Sequence, residues 1–336
     1  MDNQRTNQDV LLSVRDLEVQ YLAGGETVRA VNGVSFDVMR GQTFGLVGET
    51  GAGKTTIAKS ILRVLPDPPA KVVGGSIVLD GQDLFGLSEK QMRKIRGKKI
   101  SMVFQDPMTA LNPVFVVGDQ ISEVIRLHEN LDKHNAAVKA MKMLEMVGIP
   151  AERYGEYPHQ FSGGMKQRVV IAMALACNPE MLIADEPTTA LDVTIQAQVL
   201  DMINTLKAEQ NTSMILITHD LGVVAEVCDR VGVVYAGEII EVGSKEEIFD
   251  YPSHPYTRGL FGSIPKLDGD EKRLHSVKGM PPNPADLPAG CRFHPRCPYA
   301  TEECKRNAVA LEEIRPDHYC RCRHAAELEV RHATDC

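Results

Sequence analysis

Two stretches near the start of the chain alternate apolar and polar residues as half-buried strands do: LLSVRDLEVQY at 11–21 and TVRAVNGVSFDV at 27–38. Gly24-Gly25 between them has turn chemistry. Shorter apolar runs follow at 43–47, 75–80, 99–105, 181–186 and 213–219, and each reads as a strand. Thr56–Val64 reads as a helix, stopped by Pro66 and Pro68-Pro69. Arg230–Val242 reads as a hairpin with Ala236-Gly237 at its turn. Strands interleaved with helices predict an α/β core preceded by antiparallel strands. Between 118 and 157 the alternation gives way to helical spacing, as in Gly118–Leu127 and Ala136–Val147. An all-helical subdomain inserted at about 107–178 is therefore expected. Residues 264–290 carry five prolines between 265 and 288 and read as a linker.

The stretch Gly48-Glu49-Thr50-Gly51-Ala52-Gly53-Lys54-Thr55-Thr56 joins one of these strands to one of these helices. It fits the phosphate-binding pattern G-x-x-x-x-G-K-[ST], in which each fixed position has a physical reason. Glycine lets the backbone wrap closely, so successive N–H groups converge on phosphate oxygens. Lys54 brings positive charge to the β- and γ-phosphates, and the Thr55 hydroxyl suits Mg2+. The phosphates then meet a helix N-terminus, whose dipole favours anions. A Gly-rich turn without chemistry is the plain alternative, and the correct element on both flanks argues against it. Downstream, the strand at 181–186 ends in Asp185 and Glu186, the arrangement that positions Mg2+ behind a phosphate loop. Ser162-Gly163-Gly164 opens a helix running to about 177, a second place where backbone N–H groups can hold an anion. His219 follows an apolar strand at the end where open α/β sheets bind ligands. Tyr21 closes the first long strand with a ring able to stack on adenine, or simply to pack.

Composition changes this picture in two places. A net charge of −8 over 336 residues argues against general affinity for nucleic acid. No signal-peptide core and no apolar run of membrane-spanning length is present, so a reducing cytosol is expected. Of eight cysteines, Cys177 and Cys228 lie in apolar surroundings and read as core. The other six, Cys291, Cys297, Cys304, Cys320, Cys322 and Cys336, crowd the last 46 positions, which reads as a separate module at 291–336. Thiols so dense in a reducing compartment point to a metal before a disulfide, and their spacing does not choose between zinc and an iron–sulfur cluster.

Taken in order, the phosphate loop, Gln105, the helical insert, Ser162-Gly163-Gly164, Asp185-Glu186, Ala190-Leu191-Asp192 and His219 resemble the ATP-binding subunits of ABC transporters. More narrowly, Gln105–Pro113, Tyr157–Arg168, Ala184–Gln198, His254-Pro255-Tyr256 and Cys291–Tyr299 resemble the ATPases of oligopeptide/dipeptide importers. The resemblance implies a P-loop NTPase fold with a RecA-like core, an antiparallel β subdomain and the helical insert over 11–263, followed by the linker and the cysteine module. It implies an ATP-hydrolysing motor with Tyr21 on adenine, Gly48 to Thr56 on the phosphates, and Thr55, Gln105 and Asp185 around Mg2+. Glu186 would polarise the attacking water and His219 would contact the γ-phosphate. Phe161 to Met165, with Ser162 and Gly163 facing phosphate, would act on the nucleotide of an opposite subunit, with Asp192 at that interface. Phe161 and Met165 replace the outer residues of the family signature Leu-Ser-Gly-Gly-Gln. The implied partners are two integral membrane permeases, a second and different ATPase and, indirectly, an extracytoplasmic substrate-binding protein. The implied location is the cytoplasmic face of the cell membrane. By the same resemblance Cys291, Cys297, Cys304 and Cys320 hold a [4Fe–4S] cluster, with zinc as the alternative and Cys322 able to replace Cys320.

Overall fold

The computed structural model describes residues 9–188, 192–262 and 277–328. They fall into two compact units. One comprises Leu84–Leu216 with Val38–Thr43 and the beginning of the first strand. Its strands Ser213–Ile217, Met181–Asp185 and Ile100–Val103 are hydrogen-bonded neighbours in that order. Ile100 pairs with Met181 and Val103 with Ala184 in parallel register. Every residue of these strands is buried, which is why they read as unbroken apolar runs and not as alternation. The segment without strand signal holds the helices Val117–Glu129, Lys133–Met146 and Gly163–Leu175, as its periodicity predicts. Asp132 caps the second of these by accepting the Asn135 N–H at 2.8 Å. Ile121, Ile125, Ala136, Ala140 and Leu144 form its buried faces.

The other unit comprises Leu12–Asp37, Phe44–Asp83 and the described chain from Ile217 on. The two long strands Val10–Ala23 and Glu26–Met39 join Ala70–Leu79 and Gln82–Asp83 in a four-stranded sheet. A second run of strands is ordered Thr43–Val47, Arg230–Tyr235, Glu238–Ser244, His318–Cys320, Glu312–Arg315. The first pair is parallel and the rest are antiparallel.

The last two of those strands belong to the cysteine-rich tail and extend the sheet that carries the phosphate loop. Only the second half of the expected linker lies within the described residues. Residues 263–276 and Cys336 lie outside the described residues, but Pro284 accepts the Arg29 N–H at 2.9 Å and Lys278 accepts a guanidinium proton from Arg296 at 2.9 Å. These two bonds tie the described part of the segment, from Lys278 to Pro284, to the rest of its unit. Among the described residues no helix is long and apolar enough to cross a membrane.

A buried carboxylate fastens the tail to the hairpin. Glu241, with no exposed surface, accepts the N–H of Ser253 at 2.6 Å, the N–H of His254 at 3.0 Å and His318 Nε2 at 2.9 Å. His318 Nδ1 faces Glu247 at 3.1 Å, so both contacts are hydrogen bonds only when each ring nitrogen carries a proton. Replacing Glu241 by alanine strands the imidazole and two amides in a dry interior. Glu241→Ala is expected to lower folding stability by about 3–5 kcal/mol, against a smaller loss for Glu241→Gln, read by thermal unfolding of the full chain.

Candidate functional site

Tyr21, the phosphate loop and His219 fall in one unit; Gln105, Ser162-Gly163-Gly164, Asp185, Glu186 and Asp192 fall in the other. In the first group the buried strand Thr43–Val47 delivers the chain to Gly48, and the helix Lys54–Ile61 leaves it. Gly48 has φ 150° and Gly53 φ 107°. A Cβ at Gly48 would lie 2.2 Å from the Val234 carbonyl oxygen, and one at Gly53 2.5 Å from that of Ala30. Neighbouring backbone thus excludes any side chain at both positions. Between them run Glu49, Thr50, Gly51 and Ala52, with the Ala52 N–H turned onto the Glu49 carbonyl at 3.2 Å. Lys54 is buried, and its Nζ donates to the carbonyls of Gly48 at 2.7 Å and Glu49 at 3.0 Å. The loop is wound round its own ammonium, the group that neutralises phosphate in such sites. Thr55 and Thr56 occupy the first turn of the helix, and Thr56 Oγ1 is 3.3 Å from the Tyr21 hydroxyl. His219 is exposed, just beyond strand Ser213–Ile217. Its turn is fixed from both sides: the Asp220 N–H donates to Thr218 Oγ1 at 3.0 Å, and the Asp220 carboxylate accepts the Gly222 N–H at 2.9 Å.

In the other unit Gln105 Nε2 donates to Glu186 Oε2 at 2.8 Å. Asp185 is buried at the end of its strand, and the next residue, Glu186, takes φ 48°. A left-handed conformation is costly for a residue other than glycine, and such strain gathers at functional positions. Asp185 stays buried, while Glu186 reaches Gln105. Ser162 is the N-cap of helix Gly163–Leu175, its Oγ accepting the Met165 N–H at 3.4 Å, while Gly163 and Ser162 are exposed. Phe161, the replaced outer residue of the signature, is buried with the Arg153 guanidinium 4.4 Å over its ring. Asp192 is exposed and caps helix Val193–Gln210, its carbonyl accepting the Gln196 N–H at 2.8 Å. Ala190 and Leu191 lie outside the described residues.

The back of the phosphate loop carries contacts that a reading of local motifs misses. The Glu49 N–H donates to the Tyr256 hydroxyl at 2.9 Å, and the Glu49 carboxylate receives both arms of Arg296. Burial pushes the Tyr256 phenol far above its usual range, so it stays neutral. The Tyr256 N–H is capped by Nδ1 of His254, which burial lowers to about 4 and thereby keeps an acceptor. These residues mark the family in sequence, but nothing local ties them to a loop some 200 positions away.

In the tail, burial is the largest influence on the Cys291, Cys297 and Cys322 thiols and raises all three. Burial raises the Cys297 thiol to about 11 and the Cys322 thiol to about 12. At Cys304 burial is outweighed by hydrogen bonds from Thr301 and His324, which bring the thiol below its ordinary value. Cys320 is buried in its strand opposite Glu241. Among the described residues no three or more His, Cys, Asp or Glu side chains are gathered closely enough to hold a metal ion. The thiols as placed do not fit a cluster or zinc.

With this geometry in hand, comparison with known proteins is specific. The ABC transporter family matches residues 31–189, and the oligopeptide/dipeptide transporter C-terminal region matches residues 240–304. The dipeptide transport ATP-binding protein DppD of Bacillus subtilis is 53% identical over 298 residues, covering 88% of this chain and 89% of that protein. The oligopeptide transport ATP-binding protein OppD of Haemophilus influenzae is 50% identical, with coverage of 88% and 91%. Among solved structures, a dimeric ATP-binding cassette in a post-hydrolysis state bound to ADP and Pi superposes with a TM-score of 0.64 at 25% identity, over 70% of this chain and 99% of that one. The chain belongs to the ATP-binding protein family of the oligopeptide/dipeptide ABC transporters.

Proposed function

We propose that this protein is the ATP-hydrolysing motor of a peptide importer, coupling ATP binding and hydrolysis to translocation through separate membrane subunits. The observation that carries the reading is a phosphate loop wound round Lys54 in a chain half identical to peptide-transport ATP-binding proteins over most of its length. In this reading Gly48 to Thr56 bind the phosphates, Tyr21 stacks on adenine, and Thr55, Gln105 and Asp185 surround Mg2+. Phosphoryl transfer to water asks for positioning and charge neutralisation more than covalent chemistry. Glu186, turned out of its strand and bonded to Gln105, suits the water-polarising role; that bond ties it to a residue assigned to the metal. Exposed His219 suits a γ-phosphate contact, and Ser162 to Gly164, at an exposed helix start, suit the nucleotide of a second cassette, with Asp192 nearby in the same interface. A dimer with a different ATPase, two permeases, an extracytoplasmic binding protein acting indirectly and a peripheral place on the cytoplasmic face of the membrane follow. The division into an ATP-binding domain over 11–263, a Pro-rich linker at 264–290 and a cysteine-rich module at 291–336 belongs to the same proposal.

Support for a permease contact comes from the helical insert, where Val114 is 71% and Phe115 55% exposed beside the start of helix Val117–Glu129. Large exposed apolar neighbours mark contact sites. The tail's [4Fe–4S] cluster on Cys291, Cys297, Cys304 and Cys320, or zinc in its place, with Cys322 able to replace Cys320, rests on the family resemblance alone, since the thiols as described are not gathered for either. The raised thiols mean that any metal would have to displace protons, and no step of hydrolysis passes through it.

Three outcomes check this reading. In the assembled complex Glu186→Gln should bind ATP and lose about 10²–10⁴-fold in single-turnover hydrolysis, whereas Lys54→Ala should lose about 10–100-fold in nucleotide affinity; near-normal hydrolysis by Glu186→Gln removes it from the catalytic role. Val114→Asp with Phe115→Asp should leave nucleotide affinity intact while peptide uptake in vesicles drops and crosslinks to the permeases vanish; unchanged uptake rejects the docking role. Anaerobic purification with iron, sulfide and zinc analysis tests the cluster against the described placement of the thiols: about four irons and four sulfides, lost in Cys297→Ser, support it; stoichiometric zinc without sulfide, or metal-free protein, rejects it.

A further inference from the structure

The side of the phosphate loop that carries the Tyr256 and Arg296 contacts is its back, and it faces the tail. On the back, Arg296 sits at the end of the turn His294–Arg296, between buried Phe293 and Cys297. Its Nη1 donates to Glu49 Oε2 at 2.8 Å and its Nη2 to Glu49 Oε1 at 2.9 Å. Two parallel bonds from a planar fork fix direction as well as distance. The Arg296 side chain is only 5% exposed, so water screens the pair poorly. Arg296 is itself immobilised, with Nε on the Lys278 carbonyl at 2.9 Å and the guanidinium 5.7 Å from the Tyr235 ring. Beside the pair lies a cavity of about 150 Å³ walled by Thr50, Gly51 and Tyr235 on one side and Pro281, Pro282 and Pro284 on the other. The tail reaches the loop at this charged contact, with open space next to it.

Glu49 is therefore held three ways: by Arg296 at its carboxylate, by Tyr256 at its N–H and by Lys54 at its carbonyl. A loop with glycine at 48, 51 and 53 is expensive to order. Whatever orders it beforehand is returned as nucleotide affinity. We propose that Arg296 is a positioning residue for the nucleotide: through Glu49 it holds the first half of the phosphate loop in its phosphate-receiving form, so the tail sets ATP affinity from outside the site. The proposal rests on the reading of Gly48 to Thr56 as the ATP site. The bland alternative is a cross-link that serves folding alone.

Titration of the full chain with MgADP and MgATP by calorimetry, at a temperature well below unfolding, separates the two. Arg296→Ala and Glu49→Ala should each weaken nucleotide affinity about tenfold, and the double variant should be no weaker than either, because both remove one contact. Arg296→Lys, which keeps the charge and loses the fork, should fall between wild type and Arg296→Ala. Wild-type affinity in the single variants, with only the melting temperature lowered, overturns the proposal, and so does a double variant about a hundredfold weaker. Should Arg296→Ala fail to fold, Glu49→Ala, whose wild-type side chain is already 27% exposed, carries the test alone. Lys54→Ala runs beside them: if it loses affinity while the others do not, the ATP site stands and the role of Arg296 falls; if it keeps affinity, the site reading falls and takes this one with it.

Discussion

A phosphate loop works only if its backbone can come closer to other backbone than a side chain permits. Gly48 and Gly53 meet the carbonyls of Val234 and Ala30 at distances that no Cβ survives. Those carbonyls belong to the strands Arg230–Tyr235 and Glu26–Met39, so the loop is shaped by chain far from it in sequence. The strand that delivers Gly48 is buried throughout, which lets the turn be sharp without fraying. The ammonium of Lys54 then finds its carbonyl partners inside the loop. Sheet order, hairpin turn and helix start in this unit are all conditions for a handful of N–H groups to converge on an anion.

The parts of this that are legible in sequence are those whose physics is local. Met181–Asp185 is legible because a strand buried on both faces is apolar throughout, and the carboxylates that end it stand out against that run. The helical insert is legible from the spacing of Ile121, Ile125, Ala136, Ala140 and Leu144. The helix Val193–Gln210 is easily passed over beside the motif that precedes it, although Ile195, Val199, Ile203 and Leu206 carry helical spacing. What is not legible is the tail. Thiol density and proline density mark a module and a linker, but nothing local announces that His318–Cys320 joins the sheet beside Glu238–Ser244 or that Pro284 accepts the Arg29 N–H. Strand pairing of three residues leaves almost no periodic signal. The Arg296–Glu49 pair spans 247 positions and carries no spacing rule at all.

The same distinction separates the two carboxylates at 185 and 186. Sequence places them side by side; only the backbone distinguishes them. Asp185 ends a buried strand, and Glu186 takes a left-handed turn onto Gln105. One residue of left-handed backbone thus gives adjacent acids of similar chemistry different surroundings, the inner one buried and the outer one bonded to Gln105. The strain is tolerated because the strand behind it is fully buried and paired on both sides, so the cost is borne by packing that exists for other reasons. A chain can carry such a conformation where its surroundings leave no alternative. In this protein those surroundings are three short apolar strands whose only polar atoms, besides the backbone they pair, are at their ends and at Ser101 and Ser213.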